Sequence, residues 1–184
     1  MKQTSPRRQA TPAAQHPVWV VYDRLRTARL NVKYYGIRAD WLQSLNQAME
    51  VMLLITAPTS VLTGIAFWNT AIGKPVWQTL GIIAGLVAMM KPVFRFPARI
   101  RDYESTISGY RALDYDLSAL REKIEQHGRY DETLQSEYNE IVARFKATET
   151  GEPEKVANKK IRDACTEEVL RELPVGSFYI PADG

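Results

Sequence analysis

The hydrophobic positions of this 184-residue chain fall into two regimes. From Val51 to Met90 there is one charged residue, Lys74, in a run of 40. Within it, Met52, Leu53, Leu54, Ile55, Val61, Leu62, Ile65 and Phe67 leave no polar face, as in a membrane or deep-core helix. This predicts a first span over about 49–68, long enough for a hydrocarbon core of about 30 Å, with Pro58 inside it. Asn69 to Pro75 is rich in breakers and reads as a turn. A second, shorter span is expected from 76 to between 90 and 94. If it ends beyond Lys91-Pro92, Lys91 snorkels and Val93, Phe94 and Phe96 lie at the interface.

Outside that run the apolar residues recur at helical spacing among charges. Residues 1–16 lack an apolar core, which predicts a disordered tail and no cleavable signal peptide. Val18, Val21, Leu25 and Leu30, interleaved with Arg24, Arg26 and Arg29, predict a short basic amphipathic helix over 17–39, ending at Tyr34-Tyr35-Gly36. Asp40 is the expected N-cap of the helix that Trp41 opens, at the start of a hairpin region, 40–97. After Pro97, Ile100, Tyr103, Ile107, Tyr110, Leu113, Leu117, Leu120 and Ile124 predict one long helix. The Tyr110–Leu113–Leu117 step breaks a strict heptad, so a coiled-coil stripe would drift. Gly128 ends it, and Asp131 caps a helix carrying Leu134, Tyr138, Ile141 and Phe145. After Thr150-Gly151-Glu152, Pro153 is placed in the first turn of a last helix to Leu173, with Ile161, Cys165, Val169 and Leu173 on one face. The helical region thus spans 98–173, and 174–184 is a tail with a short extended piece near Phe178. The expected fold is an all-α membrane protein: a two-helix transmembrane hairpin with a cytoplasmic N-terminal helix and a long C-terminal bundle.

Charge gives the hairpin an orientation. Arg24, Arg26, Arg29, Lys33 and Arg38 precede it, and Lys91, Arg95, Arg99 and Arg101 follow it. Lysine and arginine accumulate on cytoplasmic flanks, so both termini are expected in the cytoplasm. Trp68 and Trp77 bracket the outer loop and Trp41 the inner edge, as interface anchors do. The net charge of +3 gives no reason to expect nucleic-acid binding. A single cysteine, Cys165, excludes an intramolecular disulfide. His16 and His127 are far apart in sequence, and no metal spacing, phosphate loop, nucleophile elbow or paired-carboxylate motif occurs. No catalytic residue, metal or cofactor is therefore expected, and an enzyme is the least favoured reading.

Several residues carry candidate roles in a membrane. Gly81 with Gly85 forms a GxxxG pair, and Ala84 with Ala88 a second small pair. Thr56, Ser60 and Gly64 make a similar strip on the first span. Such strips let helices approach closely, either to assemble an oligomer or to pack the hairpin on itself. Thr56, Thr59, Ser60 and Thr63 either line a water path or bond back to their own helix. Glu50 and Lys91 stand about 21 and 20 residues from the turn, so at 1.5 Å per residue both reach the same depth. They form an ion pair there, snorkel separately, or place Glu50 in a ring at a pore mouth. Arg95, Arg99, Arg101 and Arg111 form a basic cluster suited to a phosphate-bearing signal or to anionic lipid.

The layout resembles a known family. "KYYGIRADWL" (Lys33 to Leu42) before the spans, and "RIRDYESTISGYRALDYDLSALREKI" (Arg99 to Ile124) after them, look like the SLATT family of small bacterial membrane proteins over roughly Leu30 to Glu125. The resemblance implies a multi-pass protein of the bacterial inner membrane acting as effector in antiphage, abortive-infection-like defence. It implies homo-oligomerisation into a pore, or perturbation of the bilayer, triggered by a nucleotide second messenger or a nucleotide-signalling partner. It brings no catalytic residues. The residues alone equally allow a non-conducting anchor whose cytoplasmic helices recruit or sense a partner.

Overall fold

A computed structural model describes residues 16–56 and 70–182. Those residues form α1 (Val18–Thr56), α2 (Gly73–Phe94), α3 (Phe96–His127), α4 (Glu132–Thr150) and α5 (Lys159–Glu172), followed by a 3-10 turn at Val175–Ser177. No strand occurs among the described residues. The chain divides into two compact units: one from the segments up to Tyr35 and from Ser105 onward, the other Gly36–Glu104.

The first unit is a conventional helical core. Val18, Val21, Tyr22 and Leu25 of α1, Leu113, Leu117, Leu120 and Ile124 of α3, Leu134, Ile141 and Phe145 of α4, and Cys165 and Val169 of α5 are all buried. Apart from Tyr22, these are positions that the three/four spacing marks, because a helix turns one face to its neighbour. Each buried leucine or isoleucine contributes about 1.5–3 kcal/mol of transfer free energy. Leu30 is half-buried. The termini also follow the sequence: Gly128 stops α3 in the left-handed region (φ 66°), and Asp131 caps α4 by accepting from Leu134 N at 3.1 Å.

Three boundaries differ from expectation. The first helix does not end at Tyr34-Tyr35-Gly36, and Asp40 is not an N-cap: α1 runs unbroken to Thr56. Tyr34 and Tyr35 are core residues, 2% and 4% exposed, so their burial holds the backbone helical there. The glycine that follows costs only about 1 kcal/mol. α2 starts at Gly73 rather than Val76. The Thr70 hydroxyl accepts from Gly73 N at 3.0 Å, and Pro75 fits the first turn, where its missing N–H is not needed. α2 then passes Lys91-Pro92 to Phe94, and Arg95 in the left-handed region (φ 47°) separates it from α3. α5 starts at Lys159, not Pro153, with Asn158 as N-cap accepting from Ile161 N. The segment between α4 and α5 is drawn out of helix because Tyr110 donates to Glu152 (2.6 Å), Tyr34 donates to Glu154, and Asn158 N donates to the Tyr34 hydroxyl (2.8 Å).

α2 is the one helix among the described residues long and apolar enough to cross a membrane. The expected first span lies mostly outside the described residues, which include only its start, to Thr56.

Candidate functional site

α2 is 22 residues long, about 33 Å at 1.5 Å per residue. Only Gly73 and Ala84 are buried in it. Ile82, Leu86, Met89 and Val93, at helical spacing, are 67%, 56%, 74% and 76% exposed and form an apolar stripe. Gly81, Gly85 and Ala88 are exposed on the adjoining stripe. Among the described residues, nothing lies within 4 Å of where a Cβ on Gly81 or Gly85 would stand. The two small pairs thus part company. Ala84 faces the interior of its unit, while the GxxxG pair presents its surface outward.

The second unit brings Glu50 and Lys91 together. Lys91 Nζ lies 3.2 Å from Glu50 Oε1, and Asn46 Nδ2 donates to the same oxygen at 3.0 Å. The Glu50 and Lys91 side chains are 53% and 33% exposed, and an ion pair open to water adds little to stability. In a low-dielectric boundary it would instead reduce the cost of placing either charge there. Trp41 is exposed, with the Arg38 guanidinium 5.8 Å from its ring centroid. Trp77 is half-buried. Ser60, Thr63, Gly64 and Trp68 lie outside the described residues, as does the side chain of Thr56.

The four basic candidates fall in both units. Arg95, Arg99 and Arg101 belong to the second unit and Arg111 to the first. All four are exposed, and Arg101 Nε donates to Pro97 O at 3.4 Å. Among the described residues no three His, Cys, Asp or Glu side chains gather as metal ligands. Cys165 is buried, and burial pushes its thiol up, away from the reactive thiolate.

Sequence reasoning missed the polar frame of the first unit. Lys33 lies 2.6 Å from Glu168 and 2.8 Å from Glu172. Its hydrogen bond to Glu168 holds Lys33 above and Glu168 below their ordinary pKa values. Arg29 pairs with Asp114 at 3.1 Å, Arg144 with Asp116 at 2.6 Å, and Lys123 with Glu137. Burial pushes the Tyr22 phenol up to about 12 and raises Tyr35 and Tyr110 too, keeping all three neutral donors. A polar cavity of about 180 Å³ opens in this unit, lined in part by Arg24, Asn31, Tyr34, Glu149, Lys155 and Arg162. Arg29 and Asp114, 85 residues apart, and Lys33 and Glu168, 135 apart, leave no local mark for a sequence pattern to catch.

No protein-family model matches the chain, and no curated protein or solved structure matches it. The described residues are all-helical in their regular structure, with one helix among them long and apolar enough to span a membrane.

Proposed function

We propose that this protein is a membrane effector of bacterial defence. It inserts into the inner membrane as a two-span hairpin with both termini cytoplasmic, and it perturbs the bilayer or opens a pore once its helical unit is triggered. The single observation that carries the reading is α2, a membrane-length helix whose apolar stripe is exposed beside an exposed GxxxG pair. Lipid is the natural cover for the stripe, and close packing with a second copy the natural use of Gly81 and Gly85. The resemblance in Lys33–Leu42 and Arg99–Ile124 supplies the defence role. A nucleotide signal or a partner protein would act as a population shift, binding the helical unit better in the assembled state. The polar cavity of the first unit is a place for such a signal. No catalytic step is assigned.

Inducible expression in a bacterial host with a potential-sensitive dye tests this reading. Expression alone and together with genomic neighbours should collapse the membrane potential in at least one arm, and Gly85→Leu should block the collapse. Intact potential and viability in every arm at high expression would rule it out.

A second reading is a non-conducting anchor, favoured by the many cross-links that make the first unit a rigid presenting surface. Then truncating that unit abolishes function, whereas exchanging α2 for an unrelated apolar span does not.

A further inference from the structure

The polar cavity of the first unit, about 180 Å³, is lined by α1, α4, α5 and the non-helical segment between α4 and α5. Tyr110 and Tyr34 hold that segment through Glu152 and Glu154. Asn158 N donates to the Tyr34 hydroxyl at 2.8 Å and ties down its far end. Long-range hydrogen bonds, and not helix packing alone, therefore shape this wall.

Six charged side chains line the space: Arg24, Lys155 and Arg162 against Glu149, Glu152 and Glu154. They differ in what already satisfies them. Glu152 accepts from the Tyr110 and Tyr35 hydroxyls, and Glu154 from that of Tyr34. Arg24 lies over the Phe145 ring, 4.8 Å from its centroid, and hydrogen-bonds Tyr138. The side chains of Lys155, Arg162 and Glu149 are exposed and make no hydrogen bond or ion pair among the described residues. Two cations and one carboxylate are thus left over for an occupant.

We propose that this cavity binds a small zwitterion of the amino-acid class. Its carboxylate meets Arg162 and Lys155, its ammonium meets Glu149, and its side chain lies against Leu30 and Phe145. Hydrogen bonds with an ionised partner are roughly twice as strong as neutral ones. Charge selects the class. The lining carries three groups of each sign, so a zwitterion leaves it balanced, whereas the two negative charges of a phosphate ester would face three carboxylates. Size agrees. The cavity holds the liquid volume of about six waters at ~30 Å³ each. It is smaller than the roughly 300–1,000 Å³ of pockets that take drug-sized ligands. The inference rests on the reading above only in making this cavity the place of the trigger, and a nucleotide would then act through a partner protein. An occupant that touches α4, α5 and the segment between them favours the arrangement of the unit that holds all three close.

The test uses the purified full chain in a non-ionic detergent, because a zwitterionic one carries the ligand's own chemistry. The common amino acids, at millimolar concentration, are screened singly by the shift in melting temperature, and each that shifts it is titrated by calorimetry. At least one should bind saturably. Its decarboxylated amine and its N-acetyl derivative each lack one charge and should bind roughly tenfold more weakly. Arg162→Gln and Glu149→Gln should each weaken binding by a similar factor. Both positions are exposed and without side-chain partners, so both variants should keep wild-type helicity by circular dichroism. Lys160→Gln, on α5 but outside the lining, should bind as the wild type does. The proposal fails if no amino acid binds, if the amine or the N-acetyl derivative binds as well as its parent, or if Arg162→Gln and Glu149→Gln leave affinity unchanged. Binding of AMP or inorganic phosphate in place of any zwitterion also overturns it. Because the readout needs no bilayer, failure here leaves the membrane-potential experiment standing, and failure there leaves the binding result standing.

Discussion

Gly109 and Gly81 sit in helices of similar regularity and in opposite surroundings. A Cβ on Gly109, in α3, would stand 2.9 Å from Thr148 Cγ2 and 3.2 Å from Thr148 Oγ1, whereas one on Gly81, in α2, would meet nothing within 4 Å among the described residues. The contrast extends to the units around them. The first buries its apolar side chains and ties its helices with long-range polar contacts. The second leaves the apolar residues of α2 exposed and offers polar pairing at the Glu50–Lys91 level. A region that buries its apolar surface against itself has water as its surroundings. A membrane-length helix that leaves the same chemistry exposed calls for another solvent or another chain.

The largest expected effect that sharpens this contrast is in the first unit. Phe145, 2% exposed and edge-on to Tyr110 at 5.5 Å, should cost about 3–5 kcal/mol when cut to alanine. Denaturant unfolding of the purified chain measures it, and a loss below about 1 kcal/mol would remove Phe145 from the core. Next, Leu86→Arg breaks the comparison if α2 faces water, where an exposed substitution changes stability by less than about 0.5 kcal/mol. In a bilayer it should cost about 3 kcal/mol and shift the chain out of the carbonate-resistant membrane fraction.

The buried phenols give a pH signature confined to the first unit. Tyr22 has a folded pKa of about 12 against an unfolded value of about 10. A raised folded pKa means its contribution is fully present below about pH 10 and is lost as pH rises toward 12. The loss should amount to about 2–3 kcal/mol. Tyr22→Phe should flatten that part of the alkaline stability profile; an unchanged slope would mean the phenol ionises as freely folded as unfolded. The smallest effect separates the two glycines. Gly109→Val should cost about 1–3 kcal/mol through the clash with Thr148. Gly81→Ala should be neutral or stabilising by up to about 1 kcal/mol in the monomer. A destabilised Gly81→Ala in monomeric detergent conditions would show that α2 packs within the chain there.

Much of the first unit was legible in the sequence. The stripes of α3 and α4, the stop at Gly128 and the cap at Asp131 follow from residues within a turn of one another. Local signals failed where a distant residue overrode them. Tyr34-Tyr35-Gly36 reads as a stop, yet burial of both tyrosines carries α1 through it. Pro153 reads as a helix start, yet the Tyr34 and Tyr110 hydroxyls hold the neighbouring glutamates in a non-helical segment. The tail, read only as carrying a short extended piece near Phe178, is seated through that residue. Of the candidate residues, Glu50 and Lys91 were placed at one depth by counting rise per residue from a turn, and of the three readings that left open the structure shows the ion pair.

The sequence by itself determined that the described residues are helical, where most of those helices lie, and that α2 falls in a run depleted of charge. Periodicity and charge depletion are properties of neighbouring residues, and 3.6 residues per turn converts them directly into faces. Only the tertiary structure decided that α1 runs unbroken, that tyrosines hold the α4–α5 segment, and that Phe178 fills a slot between two arginines. It also decided that Ala84 turns inward while Gly81 and Gly85 stay open. Those outcomes depend on which side chains meet across tens of residues, and no local spacing encodes that.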